Sequence, residues 1–299
     1  APTAPAAEAA ARGRVRSSPL ARRMAAEAGI ELGGVPGSGP RGRVIKRDIE
    51  QAMERGAAAA PVGPVGPEPP FQRVELSQMR KAIARRLAES LGPIPHFFLT
   101  VEIDMERAAQ VREEMNAREA EEGRSVKVGV NDLLVKAAAL ALVRHPEVNV
   151  SYQGDHVRRY ERADIGIAVA LDDGLITPVL RNAQAKGLLQ IARESVALVE
   201  KARAKRLQPE EYSNATFTIS NLGMLGIEEF TAVINPPGAT ILAVGAVREA
   251  PVAVEGKLEV RRRMRVTLSC DHRAVDGATG ARFLDTFKKM LENPLYVIL

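Results

Sequence analysis

The stretch SCDHRAVDGA, residues 269–278, places a histidine directly after an apolar segment and an Asp-Gly pair four residues later. In the preceding segment, 264–270, every second residue is apolar, which predicts a strand with one buried face. His272 continues that row if the strand extends so far, and burial favours the neutral imidazole that a general base requires. Asp276 opens a predicted final helix. The same pattern also fits a structural His272 and an Asp276 that only caps the helix, so other segments must decide between the two interpretations.

A second candidate segment is ATFTISNLGMLG, residues 215–226. Alternation places Thr216, Thr218 and Ser220 on one face of a predicted strand. Ser220 ends that strand before a glycine-rich loop, where its hydroxyl can meet a substrate. No G-x-S-x-G motif surrounds it, so it fits a hydrogen-bond donor to a developing oxyanion better than a nucleophile. The alternative is a hydroxyl that satisfies the local backbone at the strand end.

From residue 71 onward, predicted helices and strands alternate irregularly, which is typical of one layered α/β or α+β domain. Asn131 is a plausible helix cap, and the Asp172-Asp173-Gly174 sequence predicts a turn. The predicted helices cover 78–90, 131–145, 188–206 and 277–293. The predicted strands cover 94–103, 163–180 (as a hairpin), 215–220, 239–247 and 264–270.

The first seventy residues have a different composition. Ala/Pro-rich segments at 1–13 and 54–70 predict extended linkers. They flank a small segment, 14–53, with two predicted helices, the first capped by Ser18 and ended by Gly29. Nine Lys/Arg and five Asp/Glu give residues 1–50 a charge of +4, out of +5 for the whole chain. The small segment is therefore expected to bind an acidic partner.

Several function classes are excluded by pattern. GSGPRG (37–42) matches G-x-G-x-x-G, but no strand precedes it and the segment is too short for a dinucleotide-binding unit. The other histidines, His96, His145 and His156, lack metal-ligand spacing, so we expect no metal. The basic segment lacks aromatic residues for stacking, and no apolar run could span a membrane, so we expect neither nucleic acid nor membrane as a partner. A single cysteine, Cys270, suits a reducing compartment: the bacterial cytoplasm, or the mitochondrial matrix in a eukaryote.

The segments DHRAVDGA, TFTISNLGMLG, IPHFFLTVE and DGLITPV together resemble the acyltransferase core (E2) of 2-oxo acid dehydrogenase complexes, over residues 71–299. The small segment, with GRVIKRDIE, is similar to the peripheral subunit-binding domain of the same chains. The resemblance implies an α/β (α+β) chloramphenicol-acetyltransferase-like catalytic domain, preceded by a small two-helix peripheral subunit-binding domain. It also implies homotrimers with active sites between subunits, assembled into a core of 24 or 60 chains.

The activity that the resemblance implies is acyl transfer from dihydrolipoamide to coenzyme A. The acetyl-transferring members of pyruvate dehydrogenase are the most similar, while branched-chain or succinyl transfer, or a catalytically silent docking scaffold, remain alternatives. His272 matches the general base, Ser220 the oxyanion stabiliser and Asp276 a supporting residue. Arg273 is expected to hold the local geometry through an ion pair, and Arg86 and Phe230 to line the coenzyme A path.

The resemblance also assigns partners. Arg22, Arg23 and Arg43 match positions that bind the E1 dehydrogenase or the E3 dihydrolipoamide dehydrogenase. Ala26 replaces an arginine found in some relatives. Lipoate is expected on a lipoyl domain that is not present in this chain, because no lysine stands in the hairpin motif that carries it.

Overall fold

The computed structural model describes residues 15–54, 69–171 and 174–298. The predicted linker 1–13, most of the predicted linker 54–70, and the predicted turn residues Asp172 and Asp173 lie outside the described residues. The chain divides into two compact units, Ala1–Val74 and Glu75–Leu299. None of the described helices has the length and apolar character that crossing a membrane requires.

The first unit is built on two helices, α1 (Pro19–Glu27) and α2 (Lys46–Glu54). The Ser18 side chain caps α1 by accepting from the backbone N–H of Ala21, as predicted, and Gly29 follows the helix with a φ of 67°. Among the described residues of this unit, the core is formed by four side chains that are at most 2% exposed, Ala21, Ala25, Val44 and Ile49, against which Met24, Ile30, Leu32 and Val35 pack. So small an apolar core contributes little stability.

Asp48 supplies polar support to that core. Its carboxylate accepts hydrogen bonds from the backbone N–H groups of Ser38 and Ile45, both at 2.9 Å, and from the Ser38 hydroxyl. These bonds, led by the one from Ile45, hold the pKa of Asp48 below its usual value. One carboxylate therefore ties the glycine-rich loop to the start of α2.

The second unit combines seven helices and eleven strands among its described residues. The helices are α3 (Gln78–Leu91), α4 (Glu106–Glu121), α5 (Val130–Arg144), α6 (Leu188–Arg203), α7 (Pro209–Tyr212), α8 (Gly277–Glu292) and α9 (Leu295–Ile298). The strands are β1 (His96–Asp104), β2 (Val150–Tyr152), β3 (Val157–Arg159), β4 (Ile165–Ile167), β5 (Val169–Leu171), β6 (Gly174–Ile176), β7 (Val179–Leu180), β8 (Phe217–Asn221), β9 (Thr240–Val244), β10 (Arg248–Val254) and β11 (Lys257–Asp271). The mixture confirms the predicted α/β (α+β) class.

Seven strands form the main sheet in the order β1-β11-β9-β8-β4-β7, with β10 paired to β11. Strand β9 pairs with β11 on one side, antiparallel, and with β8 on the other, parallel. It therefore lies between the strand that leads to His272 and the strand that carries Ser220. The pairs β2–β3 and β5–β6 form separate two-stranded sheets.

The two faces of the main sheet differ in composition. One face carries buried apolar side chains such as Leu242, Val266 and Leu268, which form a single core with residues of α5 and α8. The other face is more polar, because alternation places the small or hydroxylated Thr218, Ser220, Ala243, Thr267 and Ser269 there, beside the apolar Ile241 and Phe98.

Some predicted boundaries differ from the structure. Helix α5 is buried, as expected, but it begins at Val130 with Gly129 at the N-cap, so Asn131 lies inside the first turn. The capping side chain is Asp132, whose Oδ2 accepts from the Gly129 N–H at 2.7 Å. The hairpin predicted over 163–180 is divided, since β4 and β7 join the main sheet while β5 and β6 pair separately.

Candidate active site

His272 follows the last residue of β11 rather than lying on the strand. The chain turns at Asp271, whose carbonyl accepts from the N–H groups of Ala274 and Val275, both at 3.0 Å. The His272 N–H donates to the Pro95 carbonyl at 3.0 Å, and its ring lies 4.6 Å from the ring of Phe97. The predicted burial of His272 is wrong for the single chain, where the residue is exposed because the strand ends before reaching it.

Arg273 forms an ion pair, as expected, and its partner is Asp271. The guanidinium donates through Nε to Asp271 Oδ1 at 3.0 Å and through Nη2 to Oδ2 at 2.8 Å. Asp271 is 2% exposed, and these bonds raise the pKa of Arg273. The guanidinium carbon also lies 4.2 Å from the centroid of the Tyr152 ring. Asp271 and Tyr152 were not singled out from the sequence; the Asp-His-Arg order was the one available signal.

Asp276 caps α8. Its Oδ1 accepts from the Thr279 N–H at 2.8 Å, and its Oδ2 accepts from the Thr279 hydroxyl at 3.1 Å. These bonds hold the pKa of Asp276 below its usual value. The cap fixes the start of α8 and therefore the end of the turn that carries His272. Asp276 makes no hydrogen bond to His272 in the part of the chain that the structure describes.

The neighbouring Cys270 is unreactive by its surroundings. The thiol is fully buried, and burial together with the nearby charge of Asp271 raises its pKa to about 12. A thiol so seldom ionised is a poor nucleophile at neutral pH, which agrees with the expectation that Cys270 belongs to the core.

Ser220 lies on β8, one residue before its end, and is half-buried. It pairs with Ala243 of β9. Across the described ranges its hydroxyl has no hydrogen-bond partner, unlike Thr100 and Thr267 on the same face, which bond to each other at 2.9 Å. A half-buried hydroxyl without a partner can donate to a bound molecule.

His272 and Ser220 do not meet within one chain. Cys270 pairs with Thr240 at the start of β9, and Ser220 pairs with Ala243 near its end. About five residues along the strands and two strand spacings separate His272 from Ser220, which corresponds to roughly 15–20 Å. A single reaction centre that uses both therefore needs His272 from one chain and Ser220 from another.

Arg86 and Phe230 belong to neither of the strands that lead to His272 and Ser220. Arg86 is exposed on α3, and Phe230 is half-buried in the segment between Ser220 and β9. That segment is held by His96, whose Nε2 accepts from the Ile234 N–H at 3.1 Å while Nδ1 donates to the Ile94 carbonyl at 2.8 Å. His96, which is paired with Asp271, is thus a second histidine beside the turn.

In the first unit, Arg22, Arg23 and Arg43 are all exposed. Arg22 contacts the Ser17 hydroxyl through two nitrogens, both at 3.4 Å. Among the residues described in either unit, no cluster of His, Cys, Asp or Glu could hold a metal ion.

Comparison with known families and structures identifies the family of this chain. The family model described as 2-oxoacid dehydrogenases acyltransferase (catalytic domain) matches residues 68–299, and the one described as E3 binding domain matches 15–50. The mitochondrial dihydrolipoyllysine-residue acetyltransferase component of pyruvate dehydrogenase complex from Caenorhabditis elegans is 46% identical over 292 residues. The corresponding component from Zymomonas mobilis is 42% identical over 295 residues. Each alignment covers 96% of this chain but only 57% and 67%, respectively, of the relative.

Several solved structures match the catalytic unit, and two of them are acetyltransferase cores. One belongs to a study of a serine, a histidine and an asparagine in the catalytic mechanism of Azotobacter vinelandii dihydrolipoamide acetyltransferase. It has a TM-score of 0.73 and 32% identity, covering 79% of this chain and 100% of the other. The other, with a TM-score of 0.73 and 33% identity over the same shares, is the cubic core of a pyruvate dehydrogenase multienzyme complex. The predicted fold is confirmed.

Proposed function

The chain belongs to the 2-oxoacid dehydrogenase acyltransferase family, and from that premise we propose that it transfers an acetyl group from S-acetyldihydrolipoamide to coenzyme A. The observation that carries the proposal is the separation of an exposed His272 and an unpartnered Ser220 by roughly 15–20 Å along one sheet. Each chain thus supplies His272 to one reaction centre and Ser220 to another. A ring of identical chains completes one centre at every interface.

The proposed chemistry starts with proton transfer. The imidazole of His272 accepts the proton of the coenzyme A thiol as the sulfur attacks the acetyl carbonyl carbon. General-base catalysis of this kind contributes about 10²–10⁴-fold. A thiol, with a pKa far below that of an alcohol, suits an imidazole base.

The oxyanion of the tetrahedral intermediate then accepts a hydrogen bond from Ser220 of the partner subunit. Losing such a donor costs on the order of 3 kcal/mol of transition-state stabilisation. The intermediate collapses by breaking the bond to the dihydrolipoamide sulfur, which takes the proton back from the imidazolium. Acetyl-coenzyme A and dihydrolipoamide result, and His272 returns to its neutral form.

The supporting residues act on the turn rather than on the substrates. Arg273 and Asp276 fix the two ends of the turn, through the ion pair with Asp271 and the cap of α8. In the Azotobacter protein the named histidine and serine are separated by the same number of residues as His272 and Ser220. The named asparagine follows its histidine at the spacing of Asp276. This agreement supports the assigned roles, with Asp replacing Asn.

We assign coenzyme A binding to the surface that includes Arg86 and Phe230. For the first unit, the match to an E3 binding domain and the exposed Arg22, Arg23 and Arg43 support binding of acidic faces on E3 or E1. We further propose that the chain forms trimers within a larger core and receives acetyl groups from lipoyl domains. Relatives from bacteria and mitochondria support a bacterial cytoplasm or a mitochondrial matrix as its compartment.

The test measures thioester formation on coenzyme A from dihydrolipoamide carrying an acetyl, a succinyl or an isobutyryl group. We expect a clear preference for acetyl, and loss of turnover in His272→Ala without loss of assembly. A preference for another acyl donor would leave the proposed mechanism unchanged and assign the chain to a different 2-oxo acid dehydrogenase complex. An unchanged rate in His272→Ala would remove the enzyme assignment, and an inactive but well-assembled wild type would favour a docking scaffold.

A further inference from the structure

Two asparagine side chains join helix α5 to the end of β8. Asn131, in the first turn of α5, accepts at Oδ1 a hydrogen bond from Nδ2 of Asn221, at 2.6 Å. Asn221 is the last residue of β8 and directly follows Ser220. Both asparagines are half-buried. The bond therefore connects the helix layer to the backbone that presents the proposed oxyanion donor.

The orientation of the Asn221 amide is set by its other end. Its Oδ1 accepts from the Gly223 N–H at 2.7 Å, so the nitrogen must face Asn131. Gly223 itself is packed tightly, since a Cβ there would come within 2.7 Å of the Gly245 carbonyl oxygen. The Leu222 N–H also donates to the Val244 carbonyl at 3.1 Å. The loop after Ser220 is thus held at consecutive residues.

The helix end of this connection is rigid. Asp132 caps α5, and one turn later Lys136 donates to the carbonyls of Gln184 and Lys186 at 2.8 and 2.7 Å. Strand alternation sends the Asn221 side chain to the helix face of the sheet and the Ser220 side chain to the opposite face. Asn131 and Asn221 therefore reach the reaction centre only through the backbone at Ser220.

We propose that Asn131 is a positioning residue for the acyl transfer: through Asn221 it fixes the end of β8 so that the Ser220 hydroxyl points at the oxyanion. This assignment rests on the proposed function, because it gives Asn131 a role only if Ser220 has one. Misplacement of a catalytic group by about 1 Å can cost on the order of 10²-fold in rate. No contact between Asn131 and a substrate is required.

The first experiment is a double-mutant comparison of kcat in the full chain. Asn131→Leu removes the acceptor, and we expect kcat to fall on the order of 10–100-fold with the KM for coenzyme A changed less than about 3-fold. In the Ser220→Ala background the same substitution should have no further effect, since the hydroxyl that it misplaces is gone. Equal losses in both backgrounds would overturn the proposal.

A matched control separates positioning from stability. Asn116 is also half-buried, and it bonds both the N–H and the carbonyl of Val128, just before α5, at 2.8 and 3.1 Å. Asn116→Leu should lower the melting temperature while kcat changes less than about 3-fold. If Asn116→Leu lowers kcat as much as Asn131→Leu, the effect is one of general stability and the proposal fails.

An isosteric set keeps the test valid if Asn131→Leu does not fold. Asn131→Asp retains the acceptor for Asn221, and in Asn221→Asp the amide of Asn131 can turn to donate. Both single variants should keep kcat within about 3-fold, whereas the double variant sets two carboxylates against each other and should lose on the order of 10–100-fold. A double variant as active as the wild type contradicts the proposal.

Failure of the proposed function gives a different result: Ser220→Ala alone leaves kcat unchanged.

Discussion

Asp132 combines two opposing effects in one side chain. The residue is 7% exposed, and its carboxylate caps α5 through the Gly129 N–H at 2.7 Å. Desolvation outweighs that hydrogen bond and raises the pKa of Asp132 above its usual value. Because the folded-state pKa lies above that of the unfolded chain, the stabilising contribution is complete at low pH and is lost as the pH rises through the folded value.

Asp132→Asn should therefore gain stability relative to the wild type as the pH rises. The amide oxygen still accepts from Gly129, but it carries no charge that burial penalises. Thermal melting of both proteins from about pH 4 to pH 7 measures the difference in Tm, which should move in favour of the variant over this range. Asp132→Ala, which lacks the cap, should be less stable than the wild type throughout. A Tm difference that does not change with pH would show that burial of the charged carboxylate does not destabilise the protein.

Lys136 shows how a single helix residue can organise a neighbouring loop. It lies on α5, is 9% exposed, and donates to the carbonyls of Gln184 and Lys186 in the segment that leads into α6. Burial lowers the pKa of Lys136. Among the described hydrogen bonds, these two carbonyls accept from no other donor, so the ammonium group of Lys136 alone satisfies them.

Lys136→Met should lower the free energy of unfolding by about 2 kcal/mol, because two partly buried carbonyls lose a charged donor. Urea denaturation followed by circular dichroism measures the change. The exposed pair of Lys201 with Glu211, at 2.6 Å, offers a control of the same substitution. Lys201→Met should cost less than about 1 kcal/mol, as exposed ion pairs do. Equal losses of unfolding free energy in the two variants would mean that the bonds from Lys136 to the carbonyls stabilise the fold no more than an exposed ion pair does.

The elements that sequence predicted are those with a periodic apolar pattern. Helix α5 and strand β11 have apolar residues at helical or alternate spacing, and both were located. Helix α4 was missed because Ala108 and Glu119 are its only buried residues and half of its sixteen residues are charged. Strand β10 was missed because it is largely exposed and its strand character comes from pairing with β11.

The sequence supplied the candidate residues of the site but not their geometry. Motif resemblance identified His272 and Ser220, whereas the end of β11 at Asp271, and with it the exposure of His272, depends on the turn that follows. The Asn131–Asn221 bond joins residues ninety positions apart, so no local pattern could indicate it. Asp271, the partner of Arg273, lies only two residues away, and the Asp-His-Arg order was the one local signal for it.

At the scale of the whole molecule, one face of the main sheet carries a row of hydroxylated side chains. Its hydroxylated side chains, including Ser220, lie opposite the face that α5 and α8 cover. His272 lies beyond the other end of β9. An arrangement in which every chain offers both halves to different neighbours makes activity a property of the interface, as cyclic oligomers allow.

Two inactive variants should therefore restore each other's activity. When His272→Ala and Ser220→Ala chains are co-expressed in equal amounts, about a quarter of the interfaces combine an intact His272 with an intact Ser220. Turnover should rise well above that of either variant alone, measured as acetyl-coenzyme A formed per chain. Variants purified separately and mixed without subunit exchange serve as the control. No recovery in co-assembled oligomers would contradict a reaction centre shared between chains.

The burial of Cys270 has a practical consequence for site-specific labelling. It is the only cysteine of the chain, fully buried, with a thiol pKa of about 12. The natural sequence therefore behaves towards maleimide and iodoacetamide reagents as a cysteine-free background. A fluorophore or spin label attached to a cysteine introduced on either unit reports from that position alone. Two introduced cysteines, one on each unit, can carry a donor and an acceptor for energy transfer, with the strand next to His272 left unaltered.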